Sequence, residues 1–160
     1  MSERPIHAPL LQFPVVDDAL IVGGMSVHRL AEQVGQTPFY AYDREAITRR
    51  VHDLRETLPE GVSIPYAMKA NPMPAVVDHL ASLVDGLDVA SAGELAVALD
   101  SGMAPAEISF AGPGKRDPEL HAAVAAGITL NVESAGELER IAMQAEALGG
   151  LSAVLVALDI

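Results

Sequence analysis

Ile64-Pro65-Tyr66-Ala67-Met68-Lys69-Ala70-Asn71-Pro72 decides how the rest of the chain is read. The apolar run from Val62 to Met68 has the length and composition of a buried strand in a parallel sheet, and it stops on a lysine. Asn71-Pro72 and Met73-Pro74 follow, and proline pre-sets φ for a turn or a first helical position. Lys69 is therefore expected at the C-terminal tip of a strand, at the mouth of a loop, where ligands bind in βα folds. An amine set among Ala67, Met68 and Ala70 gives up hydration, which favours the neutral, nucleophilic form. Schiff-base chemistry suits that placement. The plainer alternative is a strand-end cation that reaches water along its own stem.

Downstream the pattern becomes regular. Apolar runs begin near Val62, Gly86, Glu107, Ile128 and Ser152, at intervals of 24, 21, 21 and 24 residues. Each interval holds a strand, a short loop and about three turns of helix. Helical stretches are expected at Ala75–Val84, Gly93–Ser101, Pro118–Ala126 and Ala135–Leu148. This alternation predicts an α/β fold with about five parallel strands. Ser91-Ala92-Gly93-Glu94-Leu95 recurs as Ser134-Ala135-Gly136-Glu137-Leu138, each a capping box ahead of an apolar helix. Periodicity alone leaves an open doubly wound sheet and part of a (β/α)8 barrel equally available.

Upstream, residues 1–12 read as a loose arm. Two short apolar runs split by Asp17-Asp18, with Gly23-Gly24 behind them, predict a hairpin over Phe13–Val22. Val27, Leu30, Ala31 and Val34 share one helical face that Gly35 closes. Phe39-Tyr40-Ala41-Tyr42 is a compact β-forming run. Asp43 caps a helix over Arg44–Leu58, with Ile47, Val51, Leu54 and Leu58 along one stripe.

Composition narrows the function classes. The chain has 160 residues, half of them apolar, enough for a real core. Its net charge is −12, from 22 acidic against 10 basic side chains, which disfavours nucleic acid and anionic membrane as partners. With no cysteine there is neither a disulfide framework nor a thiolate metal site, and the five histidines form no His-x-x-x-His pair. No apolar run reaches the length of a membrane span and the N-terminus lacks a signal-type apolar core, so a soluble cytoplasmic protein is expected.

Several further residues qualify as site candidates. Asp88, ending the second run, needs a partner or a solvated pocket. Glu94 is accounted for by its capping box, which does not preclude a second role. Gly112-Pro113-Gly114-Lys115-Arg116 suggests an anion-accepting loop or an ordinary βα turn. It is not a P-loop, because Ser109 stands where the first glycine belongs and Arg116 where the magnesium-binding hydroxyl belongs. Asn131 and Glu133 end the fourth run and could face a barrel mouth.

The words Tyr66-Ala67-Met68-Lys69-Ala70-Asn71-Pro72, Asp88 to Leu95 and Phe110 to Lys115 resemble the fold-type III decarboxylases, the group acting on diaminopimelate, ornithine or arginine. His7 to Leu10 and Gln12 to Val16 resemble that group's exosortase-associated branch. The resemblance implies an alanine-racemase-like (β/α)8 barrel of which about five strands are present, over residues 44–160. It implies that residues 1–43, an arm with hairpin, helix and strand, join a β-domain. It implies pyridoxal 5'-phosphate held as a Schiff base by Lys69, with Asp88 and Glu94, and also Ala67 and Asn131, lining the cofactor pocket. It implies a small amino-acid substrate and a homodimeric parent. A full barrel takes eight strands and roughly 250 residues, so the chain is expected to be the N-terminal part of a longer enzyme, inactive alone. Relatives read Arg-Val-Asn-Pro after the fifth strand, whereas Val156-Ala157-Leu158-Asp159-Ile160 has no such arginine. The alternatives are a non-catalytic βα module that kept or lost the cofactor, and an alanine-racemase-like enzyme.

Overall fold

The computed structural model describes residues 12–149 and the backbone of 156–158. Residues 1–11 of the expected arm, the fifth run's start at Ser152 and the last two residues lie outside the described residues. The chain divides after Asp53 into two compact units.

In the first unit β1 (Val15–Val16), β2 (Ala19–Val22) and β3 (Met25–Ser26) form an antiparallel sheet in the order β1-β2-β3. Two-residue hairpins need positive φ at both central residues. Asp17 and Asp18 supply 49° and 61°, and Gly23 and Gly24 supply 57° and 74°. The second hairpin, and with it β3, has no counterpart in the sequence reading. Helix α1 (Val27–Val34) is capped by Ser26, whose Oγ accepts from the Arg29 N–H at 3.3 Å, and it ends at Gly35 with φ 75°. Residues 39–42 were expected as a strand and are not one. Their β-forming side chains have no neighbouring strand to pair with among the described residues, and Tyr40 and Tyr42 stack on each other instead, with ring centroids 6.5 Å apart.

Helix α2 (Arg44–Thr57) runs across the division. Asp43 Oδ1 accepts from the N–H groups of Glu45 at 2.9 Å and Ala46 at 3.2 Å, the expected N-cap. Burial pushes the Asp43 carboxyl up, but the N–H groups of Ala46, Gly23 and Glu45, aided by Arg49, hold it below the usual carboxylate range.

The second unit is a five-stranded parallel sheet in the order β4-β5-β6-β7-β8, with strands Pro65–Ala67, Gly86–Val89, Ile108–Phe110, Thr129–Val132 and Val156–Leu158. Helices α3 (Pro74–Ala81), α4 (Ala92–Asp100), α5 (Asp117–Ala126) and α6 (Ala135–Ala147) connect successive strands. The expected α/β alternation is present, each element within a few residues of its expected bounds. Strand positions alternate sharply. Leu87, Val89, Ile108, Phe110 and Leu130 are sealed in a core with Leu95, Leu120 and Ile141 from the helices, each worth about 1.5–3 kcal/mol of burial. Between them Asp88, Ser109 and Asn131 stand half-buried on the opposite face. One face of the sheet is thus polar, and that face carries the candidate site.

Two local devices set where the sheet begins. A Cβ at Gly86 would lie 2.6 Å from the Glu107 carbonyl oxygen, so only glycine admits β6 this close. Asp85 accepts from the Ile64 N–H at 2.7 Å and pairs with Arg55 of α2. The Arg55 guanidinium, with the Ile64 N–H, keeps Asp85 below the usual carboxylate range. Among the described residues no helix is long and apolar enough to cross a membrane.

Candidate functional site

Register brings the candidate residues to one face and one end of the sheet. Ala67 of β4 pairs with Asp88 of β5, Asp88 pairs with Ser109 of β6, and Ser109 pairs with Thr129 of β7. In-register neighbours in a parallel sheet share a face, so these four form one row on the face opposite the core. Asn131, two residues beyond Thr129, continues the same face toward the C-terminal rim.

Lys69 stands on that rim, though not as the strand tip that the sequence suggested. The strand ends at Ala67, and Lys69 occupies a single 3-10 turn, Met68–Ala70. Met68 takes the inward position, fully buried, and anchors the turn, which leaves Lys69 exposed rather than stripped of water. Asn71 fastens the far side: its carbonyl accepts from Tyr66 Oη at 3.1 Å and its Oδ1 from the Met73 N–H at 3.0 Å. The Met73 bond fixes the amide orientation, so Asn71 Nδ2 is left buried with no acceptor. An unmade buried donor costs about 1–3 kcal/mol, and this one lies two residues from Lys69.

Asp88 Oδ1 accepts from Ser109 Oγ at 2.9 Å, and its other oxygen has no hydrogen bond among the described residues. Glu94 Oε2 accepts from the Ala90 N–H at 2.7 Å, while its own N–H donates to Ser91 Oγ at 3.3 Å. The cap thus closes on the residue before the serine, and one carboxylate oxygen remains unengaged among the described residues. Asn131 contributes its carbonyl to Lys115, and its side-chain amide has no hydrogen bond among the described residues. The structure therefore brings Ala67, Asp88 and Asn131 onto one face, with Lys69 and Glu94 at the rim above it.

Of the two readings open for the loop around Lys115, the ordinary βα turn is the one the structure supports. Lys115 is only 4% exposed, and its Nζ donates to Gly112 O at 2.8 Å, Asn131 O at 2.7 Å and both Glu137 oxygens at 3.1 Å. The Gly112 N–H donates to Glu133 Oε1. Carboxylates and carbonyls of the chain itself occupy the donors that an anion would have used. Arg116 is engaged too, by Glu119 at 3.1 Å. The Arg116 side chain and N–H, with the Ala92 N–H, outweigh burial and hold Glu119 at about 2.

Two residues escaped the sequence reading. Ser109 was noticed only as the wrong residue for a P-loop; its position opposite Asp88 follows from register, which no local pattern encodes. Glu137 reads locally as a cap, and nothing nearby in sequence marks it as the partner of a lysine 22 residues away.

The chain has two lysines. Lys115 is sealed and bonded on every side, whereas Lys69 makes no hydrogen bond or ion pair among the described residues. An accessible amine, an orphan amide donor beside it and a carboxylate with one oxygen unengaged among the described residues suit a ligand whose carbonyl can condense with the amine. Among the described residues no three His, Cys, Asp or Glu side chains are grouped as a metal site.

Known proteins supply the family. Residues 44–158 match the family model described as pyridoxal-dependent decarboxylase, pyridoxal binding domain. A diaminopimelate decarboxylase from Aquifex aeolicus is 39% identical over 134 residues, covering 83% of this chain and 31% of the relative. A Staphylococcus aureus enzyme, 2-[(L-alanin-3-ylcarbamoyl)methyl]-2-hydroxybutanedioate decarboxylase, is 37% identical, covering 73% of this chain and 29% of its own. The crystal structure of Helicobacter pylori diaminopimelate decarboxylase complexed with L-lysine superposes with a TM-score of 0.73 at 34% identity, over 82% of this chain and 33% of that one. The chain thus spans about a third of the length of the relatives it matches. On a match that takes in more than half of its residues, the chain belongs to the pyridoxal-dependent decarboxylases and carries their pyridoxal-binding domain, whose cofactor is pyridoxal phosphate.

Proposed function

We propose that this chain is the cofactor-carrying, N-terminal portion of an amino-acid decarboxylase of the diaminopimelate decarboxylase type, with Lys69 as its cofactor-bearing residue. One observation carries the reading: of the two amines that lysine supplies, one is closed inside an ion pair and the other stands unengaged at the C-terminal rim. Pyridoxal phosphate, when bound, supplies an electron sink for the pair released as a carboxylate leaves as carbon dioxide. The residues of the chain do the rest. Lys69 would hold the cofactor through its aldehyde, and its amine, once free, would be placed to hold or return a proton. Asp88 would present its unengaged oxygen to the bound group. Glu94 and Asn131 would border the bound group, and the small side chain of Ala67 would leave room for it beside Asp88.

Residues 44–160 would form the first five strands of an eight-stranded barrel and residues 1–43 part of a β-domain, supported by strand order and by relatives about three times as long. A homodimer in the cytoplasm, with a small amino acid as substrate, is proposed for the longer parent. Assignment to the exosortase-associated branch rests on the wording of residues 7–16 alone. The substrate stays at the level of an amino acid with a free α-carboxylate, because relatives of nearly equal identity carry different substrate names. No decarboxylation is expected from these residues by themselves.

The test uses the two-lysine composition. Incubation with pyridoxal phosphate, borohydride reduction and peptide mass spectrometry should find the reduced adduct on Lys69 alone. The visible band of the bound cofactor should vanish in Lys69→Ala. An adduct divided between Lys69 and Lys115, or a band that survives Lys69→Ala, overturns the proposal.

A further inference from the structure

Resting on the reading of Lys69 and Asp88 just given, we infer that Ser109 is a positioning residue for the cofactor site: its hydroxyl holds the Asp88 carboxylate in the orientation that presents the second oxygen to the bound group. Three observations carry this. Ser109 is the in-register neighbour of Asp88 on β6, and its Oγ donates to Asp88 Oδ1 at 2.9 Å. On the other side of Asp88 the in-register neighbour is Ala67, which has no polar atom in its side chain, so the serine hydroxyl alone anchors this carboxylate among the described residues. Finally, serine is a poor choice for this strand on packing grounds. Ser109 lies between Ile108 and Phe110, both fully buried, on the face the helices do not cover. A β-branched side chain suits a half-buried strand position better, and positions that break a local preference concentrate where function asks for it.

The physical effect is orientational. The terminal torsion of an aspartate is broad and roughly two-fold, so a half-buried carboxylate with no fixed donor samples several directions. One hydroxyl proton given to Oδ1 selects among them and leaves Oδ2 with its lone pairs directed away from β6. A hydrogen bond to a charged group is about twice as strong as one between neutral groups. At half-burial, losing it is expected to cost about tenfold in affinity for a ligand that depends on the aligned oxygen.

The experiment compares Ser109→Ala, Ser109→Val and Ser109→Thr in the longest natural chain that contains these residues, titrated with pyridoxal phosphate and followed by the visible band of the bound cofactor. Ser109→Thr keeps the hydroxyl and should bind within about twofold of the parent. Ser109→Val, nearly the same shape as threonine without the hydroxyl, and Ser109→Ala should each bind about tenfold more weakly and show an altered band shape. Binding is compared well below the thermal midpoints, where all three variants are folded. In an Asp88→Asn background, replacing Ser109 by alanine should change binding no further. Unchanged affinity and band shape in both hydroxyl-free variants overturn the inference. So does a loss of affinity that tracks a lowered midpoint in all three, the mark of a purely structural role. If Lys69→Ala leaves the band intact, it is the functional reading underneath that fails; if Lys69→Ala removes it while the Ser109 series is flat, only the positioning role fails.

Discussion

The words Ser-Ala-Gly-Glu-Leu occur twice, and the two copies end in different electrostatic worlds. At Ser91–Glu94 and again at Ser134–Glu137 the serine Oγ accepts from the glutamate N–H, at 3.3 and 3.2 Å. In both copies the glutamate carboxylate reaches back to the N–H just before the serine, Ala90 at 2.7 Å and Glu133 at 3.0 Å. Local geometry is the same. Glu137, however, is 3% exposed and closed by Lys115 and Arg140, whereas Glu94 is half-buried, has no ion pair among the described residues and keeps one oxygen open at the rim. The first copy is tied to its neighbour differently, through the Ala92 N–H donating to Glu119 at 3.1 Å. A repeated capping box is thus a helix start in both places, and a candidate ligand residue only where no cation has arrived to neutralise it.

The contrast is sharpest in stability. Lys115→Met leaves the buried Glu137 carboxyl with only the longer Arg140 contact as an ion pair, and should cost about 3–5 kcal/mol in denaturant unfolding. Adding Glu137→Gln to that variant should recover part of the loss. If Lys115→Met is nearly neutral, the buried pair is not what separates the two copies.

Acid should reveal the tie at the first copy. Glu119 is held at about 2 against an ordinary value of 4.5. Its carboxylate therefore contributes stability that is fully present above about pH 4.5 and is lost as pH falls toward about 2. Glu119→Gln should be less stable than the parent at neutral pH and should flatten this acid limb of the unfolding midpoint. A limb unchanged by the substitution would assign it to other carboxylates.

The serines should behave alike, because their bonds are alike. Ser91→Ala and Ser134→Ala should each cost about 1 kcal/mol. A large inequality would mean that one cap carries tertiary strain. Smallest of all, Glu94→Gln should change stability by under about 0.5 kcal/mol, the range of surface substitutions, while weakening pyridoxal phosphate binding measurably. Equal binding in Glu94→Gln and the parent would return Glu94 to a capping role only.

Much of the architecture was open to reading along the chain. Strand and helix periods, the Asp43 cap, the Gly35 stop and the Asp17-Asp18 hairpin are local, since each depends on bonds within four or five residues. The readings that missed were those that depend on a partner. Phe39–Tyr42 has strand composition but no strand to pair with among the described residues, and the choice between an anion site and a plain turn at Lys115 stayed open until Glu137 and Glu133 were seen to fill it.

By itself the sequence determined the order of elements, the helix caps and the presence of one lysine at the end of an apolar run, because these follow from side-chain periodicity and short-range hydrogen bonds. Tertiary structure decided which acid is spent and which is open, that Ser109 meets Asp88, and that Lys69 rides an exposed turn above a buried Met68. The reason is physical: parallel register joins residues 21 apart in the chain. Whether a charge is neutralised or left available depends on which of those distant residues comes to lie beside it.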